Sequence, residues 1–288
     1  MMRAVDLPQI TIVGVGLLGG SLGMASRKLR LARRVVGYVR KPEQAAQCLA
    51  AGAVDEATCD LAQAARGASL VILCTPVGQM RPLAEQLRPH LRPDAIVTDV
   101  GSVKGVVVAE LESLFPRFVG SHPMAGSEKT GVAHARADLF EGAVCALTPT
   151  AATDTAALAA VESLWRALGA RPVRISPAAH DQLVARSSHL PHALSTALVH
   201  TVLGNMANGQ ADFCATGFRD ATRLADGSAA MWRDITLANR EPLTRALDDL
   251  SGHLARLRQA LEAADAAALE DYFERGRQLR SHWLRREI

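Results

Sequence analysis

The glycine run Gly14-Val15-Gly16-Leu17-Leu18-Gly19 limits what this chain can fold into more than any other stretch, because of what flanks it. Before it stands a short β-branched run, Gln9-Ile10-Thr11-Ile12-Val13, and after it a helical pattern runs from Ser21 to about Leu29. Strand, G-x-G-x-x-G and helix in that order open a dinucleotide-binding βαβ unit. Gly14 permits the tight turn, Gly16 lets backbone approach a pyrophosphate, and Gly19 lets the helix pack closely on the strand. The free N–H groups of the helix start then face the phosphates. Gly14, Gly16, Leu17, Leu18 and Gly19 are the expected cofactor contacts of this loop.

The second strand, Arg34-Val35-Val36-Gly37-Tyr38-Val39, bears on which dinucleotide is bound. An NAD site usually ends this strand with an acid that holds the ribose 2′-hydroxyl, but Val39 stands there, followed by Arg40 and Lys41. A guanidinium suits a 2′-phosphate, so NADP is expected over NAD, with Arg40 as its ligand.

A chain of 288 residues, 49% hydrophobic and 21% charged, suits two globular domains with a sizeable core. The formal charge of +3 is mild, and no basic run interleaved with aromatics points to nucleic acid. The five cysteines, at 48, 59, 74, 145 and 214, form no C-x-x-C pair, so reduced thiols in a cytoplasmic setting are expected. No apolar run approaches membrane-spanning length and no signal peptide is read before the first strand.

Strand and helix alternate onward from the glycine loop. Ser69-Leu70-Val71-Ile72-Leu73-Cys74 reads as a buried parallel strand leading into Thr75-Pro76, and Ala95-Ile96-Val97-Thr98-Asp99-Val100 as another leading into Gly101-Ser102-Val103-Lys104. Ligands of open α/β sheets bind at the carboxyl ends of strands, so Thr75, Pro76, Ser102 and His122 should converge on one crevice. Strands at about 143–147 and 171–175, with a helix between them, are expected to extend the sheet. After Ser176 only helical spacing is found, with Ala193, Leu194, Ala197, Leu198, Thr201 and Val202 on one face. The expected organisation is therefore a Rossmann-type parallel sheet over 1–176 and an all-helical domain over 177–288. Leu247, Leu250, Leu254, Leu257, Leu261, Ala264 and Ala268 form a heptad-like seam that suits a dimer interface as well as a core.

Three groups carry candidate chemistry. His122, in Ser121-His122-Pro123-Met124-Ala125-Gly126, follows a Rossmann strand and shares its edge with the Ser102 hydroxyl, which could orient an imidazole. His189 and His192 lie three apart in Ser188-His189-Leu190-Pro191-His192; with no third ligand nearby, no metal site is expected, and His180-Asp181 is too loosely linked to complete one. Arg219 and Arg223, four apart in Gly217-Phe218-Arg219-Asp220-Ala221-Thr222-Arg223, would share a helix face and could clamp a carboxylate, steadied by Asp220.

In this order, these groups resemble the prephenate/arogenate dehydrogenase family of tyrosine biosynthesis. The resemblance spans nearly the whole chain: the glycine loop, Asp99-Val100-Gly101-Ser102-Val103-Lys104, His122-Pro123-Met124-Ala125-Gly126 with Glu128, the His189/His192 group, and Phe218 to Arg223 with Met231-Trp232. It implies a Rossmann domain followed by a helical dimerisation domain. It also implies His122 as the catalytic histidine with Ser102 as its hydroxyl partner at the substrate, and His192, His189 and Arg223 among the substrate-binding residues. Glu128, Arg219 and Trp232 match positions that shape or gate the pocket.

The implied reaction fits these residue types. Prephenate loses hydride from its hydroxyl-bearing ring carbon to the nicotinamide, and the resulting dienone loses CO2 to become aromatic. Neutral His122 would draw off the hydroxyl proton, worth about a hundred- to ten-thousandfold in rate, and activity should fall at low pH as it protonates. The dianionic substrate gives Arg223, and with it Arg219, a role. Val39 departs from the acidic residue of NAD-preferring members, and no regulatory domain is read after the helical region, so any inhibition by tyrosine would act at the active site. Prephenate and arogenate both remain open as substrates. So do a β-hydroxyacid-type dehydrogenase, although its catalytic lysine would lie in the helical domain and all four lysines stand at or before Lys129, and a non-catalytic dinucleotide sensor.

Overall fold

The structure is a computed structural model that describes residues 7–127, 129–204 and 210–286. Its first part alternates strand and helix: β1 (Ile10–Val13), α1 (Leu17–Lys28), β2 (Val35–Tyr38), α2 (Pro42–Ala50), β3 (Glu56–Thr58), α3 (Leu61–Ala65), β4 (Leu70–Leu73), α4 (Val77–Leu87), β5 (Ile96–Asp99), α5 (Gly105–Glu112) and β6 (Phe118–Val119). The six strands form one sheet in the order β3-β2-β1-β4-β5-β6, parallel at every pairing. Strand order reverses between β1 and β4, so a crevice opens there at the carboxyl ends, where open α/β sheets bind ligands.

β1, β4 and β5 are buried at all four positions because helices cover both faces of the sheet. Alternate residues supply two cores: Ile10, Ile12, Leu70, Ile72 and Ile96 pack on the side of Phe140 and Trp165, whereas Val13, Val71, Leu73 and Val97 pack on the side of Met80, Leu87 and Leu111.

The next strands do not extend this sheet, contrary to the reading of the sequence. β7 (Ser121–Pro123), β8 (Val144–Leu147) and β9 (Arg171–Arg174) form a second sheet, in which β7 runs antiparallel to β8 and β8 parallel to β9. β6 is only two residues long, and the chain passes from one sheet to the other at Gly120, packed so closely on Val108 and Thr148 that a side chain there would collide. His122 therefore pairs with Ala146 of β8. The helix between β8 and β9, α6 (Thr155–Ala167), starts where the Asp154 carboxylate accepts the N–H of Ala157 at 2.7 Å and buries Leu158, Val161, Leu164 and Trp165.

From residue 177 onward the described chain is helical. α7 (Pro177–Val184) starts with Pro177 in its first turn and the Ser176 hydroxyl accepting the N–H of Ala179. A single π-helical stretch, Ala185–His189, joins it to α8 (Leu190–Leu203), and α9 (Thr216–Thr222) and α10 (Ala229–Ala238) follow. On α8 the buried residues are His192 and Ser195, while Leu194 and Ala197 of the expected apolar face are exposed in the single chain.

The chain divides into two compact units, residues 1–240 and 241–288. The second holds α11 (Arg240–Glu262) almost entirely and α12 (Ala266–Arg286). Here the heptad reading needs correction. Ala264 takes a left-handed φ of +48° and the Asp265 carboxylate caps the next helix through the N–H of Ala268, so the seam breaks between Leu261 and Ala268. Leu247, Leu254 and Leu261, and Phe273, Leu279 and Trp283 on α12, are exposed. Among the described residues no helix is long and apolar enough to cross a membrane.

Candidate active site

The carboxyl ends of β1, β4 and β5 open on a cavity of about 650 Å³. Gly16, Leu17 and Leu18 line it from the glycine loop, Thr75 and Pro76 from the loop after β4, and Ser102 from the loop after β5. His192, Arg223 and Trp232 close it from the helical side. These nine residues, all singled out in the sequence, thus line one cavity. Lys129, which the sequence reading passed over, adds a further cation to the lining.

The glycine loop is shaped to leave its mouth open. Gly14 has φ +96°, and a side chain there would meet the carbonyl of Cys74 at 2.8 Å; Gly19 lies against the carbonyl of Gly14. At Gly16, by contrast, a side chain would meet nothing, since that position faces open space. α1 begins there with no side-chain cap and no acid in its first turn. Uncapped N–H groups, an open backbone and the buried, unpartnered hydroxyl of Thr75 beside them fit the diphosphate of a dinucleotide. The N–H of Gly14 donates to the carbonyl of Tyr38 at 3.0 Å, which brings the end of β2 beside the loop. There Val39 is buried, and Arg40 and Lys41 are exposed.

His122 is not among the cavity-lining residues. It is half-buried on β7, and its Nδ1 lies 2.9 Å from Nε2 of His180, on α7. His180 Nδ1 is 2.8 Å from the Asp181 carboxylate, which also accepts the backbone N–H groups of Lys104 and Gly105, each at 2.7 Å. The partner of the His122 Nδ1 is therefore His180 rather than the Ser102 hydroxyl. Among the described residues Nε2 of His122 carries no hydrogen bond. Beneath the strand, Lys104 and Asp99 form a fully buried ion pair; the Lys104 ammonium also donates to the Ser121 carbonyl at 2.9 Å, and Asp99 accepts the N–H groups of Ser121 and Gly101. Burial above all, then the Lys104 ammonium, His180 and His189, holds His122 well below the usual histidine range, so its imidazole is neutral near pH 7.

His192 of α8 and Trp232 of α10 stand on the facing wall. His192 lies flat on the Trp232 indole, with centroids 3.5 Å apart and planes 19° from parallel, and His189 meets the same indole edge-on at 5.9 Å. His189 is itself buried, with Nδ1 3.0 Å from the Asn239 amide, and burial pushes it down to about 4. Arg219 and Arg223 are placed differently: α9 ends at Thr222, Arg223 begins a short 3-10 turn and lines the cavity, and Arg219 and Asp220 are exposed on α9 and do not line it. Glu128 lies outside the described residues.

Residues 22–174 match the family model described as the nucleotide-binding domain of prephenate dehydrogenase, and residues 176–275 match its dimerization domain. The chain belongs to the prephenate dehydrogenase family. Among its relatives within and beyond the strict prephenate enzymes, a prephenate dehydrogenase of Bacillus subtilis is 36% identical over 94% of this chain and 75% of the relative. A cyclohexadienyl dehydrogenase of Zymomonas mobilis is 34% identical over 94% of both chains. The crystal structure of the prephenate dehydrogenase of A. aeolicus with hydroxyphenyl propionate and NAD+ superimposes with a TM-score of 0.93 at 34% identity, over 97% of this chain and 99% of that one. Synechocystis arogenate dehydrogenase gives 0.80 at 34% identity, over 96% and 99%. A pyridine-nucleotide-binding Rossmann domain and a helical dimerization domain are thus family features of this chain, in the order expected. The match to the first domain begins after the glycine loop, whose reading rests on its own geometry.

Proposed function

We propose that the protein is a prephenate dehydrogenase, catalysing the nicotinamide-dependent oxidative decarboxylation of prephenate to 4-hydroxyphenylpyruvate in tyrosine biosynthesis. The observation that carries this reading is the shared cavity, with a phosphate-cradling loop on one wall and Arg223 and His192 on the other, together with a neutral His122 on β7 held by His180. When bound, the nicotinamide supplies the hydride acceptor. Arg223 pairs with a substrate carboxylate, His192 is held by the Trp232 face to hydrogen-bond the substrate, and Ser102 steadies the ring hydroxyl. His122 takes the hydroxyl proton as hydride departs, so negative charge never accumulates on that oxygen. A base that is neutral at working pH is what this step requires, and burial beside Lys104 provides it.

Val39, Arg40 and Lys41 at the end of β2 favour NADP, since no carboxylate stands there to hold a 2′-hydroxyl or repel a 2′-phosphate. The exposed apolar face of α8 and the exposed Leu and Phe side chains of α11 and α12 favour a homodimer through 177–288, with residues 1–176 holding the nucleotide. Cofactor reduction followed by absorbance, with prephenate and arogenate each tested against NAD and NADP, examines these assignments together. Turnover of prephenate with NADP is expected. Turnover of arogenate alone would move the substrate assignment, and silence in all four mixtures with cofactor binding intact would overturn the enzyme reading.

A further inference from the structure

We propose that Asp181 and His180 are positioning residues that fix the tautomer of His122, holding its ring proton on Nδ1 so that Nε2 is the nitrogen that receives the substrate proton. This rests on the reading of His122 as the proton acceptor.

The links run from Asp181 through His180 to His122. The Asp181 carboxylate receives the N–H of Lys104 on Oδ1 and that of Gly105 on Oδ2, each at 2.7 Å, at the start of α5. Surrounded by donors, it can only accept, so Nδ1 of His180, 2.8 Å from Oδ1, must donate. In the neutral form of His180, donating from Nδ1 leaves Nε2 to accept, and Nε2 of His180 faces Nδ1 of His122 at 2.9 Å. His122 must therefore donate from Nδ1, which leaves the lone pair on Nε2. His180 and Asp181 are 2% and 6% exposed, so water does not compete for these bonds. Asn239 clamps α7 in place, its amide donating to the Asp181 carbonyl at 2.9 Å while lying 3.0 Å from His189 Nδ1.

The charged and titratable groups around His122 agree with this direction. Lys104 and Asp99 neutralise each other below β7, Cys145 on β8 is kept as a thiol by burial, and His189 is held neutral, so among the described residues none of these groups competes for the His122 Nδ1 proton. In the reaction the substrate O–H bond breaks and an N–H bond forms at Nε2. The imidazolium keeps its Nδ1–H bond to His180, with the Asp181 carboxylate one residue further along to offset its charge. The proton later leaves to solvent from Nε2.

The test is nitrogen NMR of the full-length protein labelled with 15N-histidine, with the His122 signals identified by their loss in His122→Asn. A protonated Nδ1 and a bare Nε2 on His122 in the resting wild type are expected; the reverse tautomer would overturn the proposal, and this arm is independent of which substrate the enzyme uses. In kinetics, His180→Phe keeps ring volume but removes the acceptor. It should lower kcat by about a hundredfold with KM nearly unchanged and shift His122 toward the other tautomer. His180→Gln, with a carbonyl for His122 and an amide for Asp181, should restore most of the rate. An unchanged kcat in His180→Phe would overturn the positioning role. Failure of the wild type to turn over any cyclohexadienyl substrate would instead count against the functional reading and leave the tautomer result standing.

Discussion

The Asp99 carboxylate and the Lys104 ammonium pair with no solvent reaching either side chain. They sit under the strand that carries His122, and the lysine also holds the Ser121 carbonyl. Burial alone pushes the ammonium down, and Asp99 is the largest influence restoring it. Lys104→Met would leave a buried carboxylate without its counter-charge. A loss of about 3–5 kcal/mol in unfolding free energy is expected from urea denaturation. A change near zero would mean that the pair is dispensable.

The pH profile follows from the state of His122. It must be neutral to accept a proton, and its environment holds it well below the usual histidine range, so the active form persists as pH falls through 6.5 and is lost only when pH approaches the depressed value. A rate of prephenate oxidation that is flat from pH 8 through the ordinary histidine range, then falls on the acid side, is expected. The sequence shows this histidine and Lys104 separately, but neither the burial of the one nor the influence of the other upon it. A limb centred near 6.5 would mean that the base lies in water.

Cofactor choice is testable at one exposed side chain. Arg40 follows the buried Val39 beside the glycine loop, with no acid at that strand end. Arg40→Ser should raise KM for NADP by roughly tenfold, the worth of a charge-assisted hydrogen bond, and leave KM for NAD within about twofold. Equal effects on both cofactors would place Arg40 outside the 2′-phosphate site.

The second arginine has a different signature. Arg223 lines the cavity with His192 and Trp232, whereas Arg219 is exposed on α9. Arg223→Gln should raise KM for prephenate by more than about tenfold, and Arg219→Gln by less than about threefold. The reverse order in steady-state kinetics would exchange their roles.

What was legible in the sequence was local. The glycine loop, the buried strands and the switch to helices after Ser176 are written in neighbouring residues, and the structure has them within a few positions. The second sheet was not legible, because nothing in residues 121–123 says that they pair antiparallel with residues 145–147. The His180–Asp181 link to His122 is not legible for the same reason. It spans 58 residues and exists only because α7 lies against the start of α5. The adjacent His180 and Asp181 in the first turns after the Ser176 cap are the one signal the sequence offers, and as neighbours in sequence they suggest no more than an incomplete metal site. The heptad seam misled in the opposite way: its spacing is real up to Leu261, but the left-handed turn at Ala264 ends the helix.

The most direct measurement is the initial rate of NADP reduction by prephenate in wild type and in His122→Asn, with NADP binding measured separately in each. Steady turnover by the wild type, a fall of about a hundredfold or more in the variant, and unchanged cofactor affinity are expected. Near-normal turnover in His122→Asn would contradict the assignment of His122 as the proton acceptor.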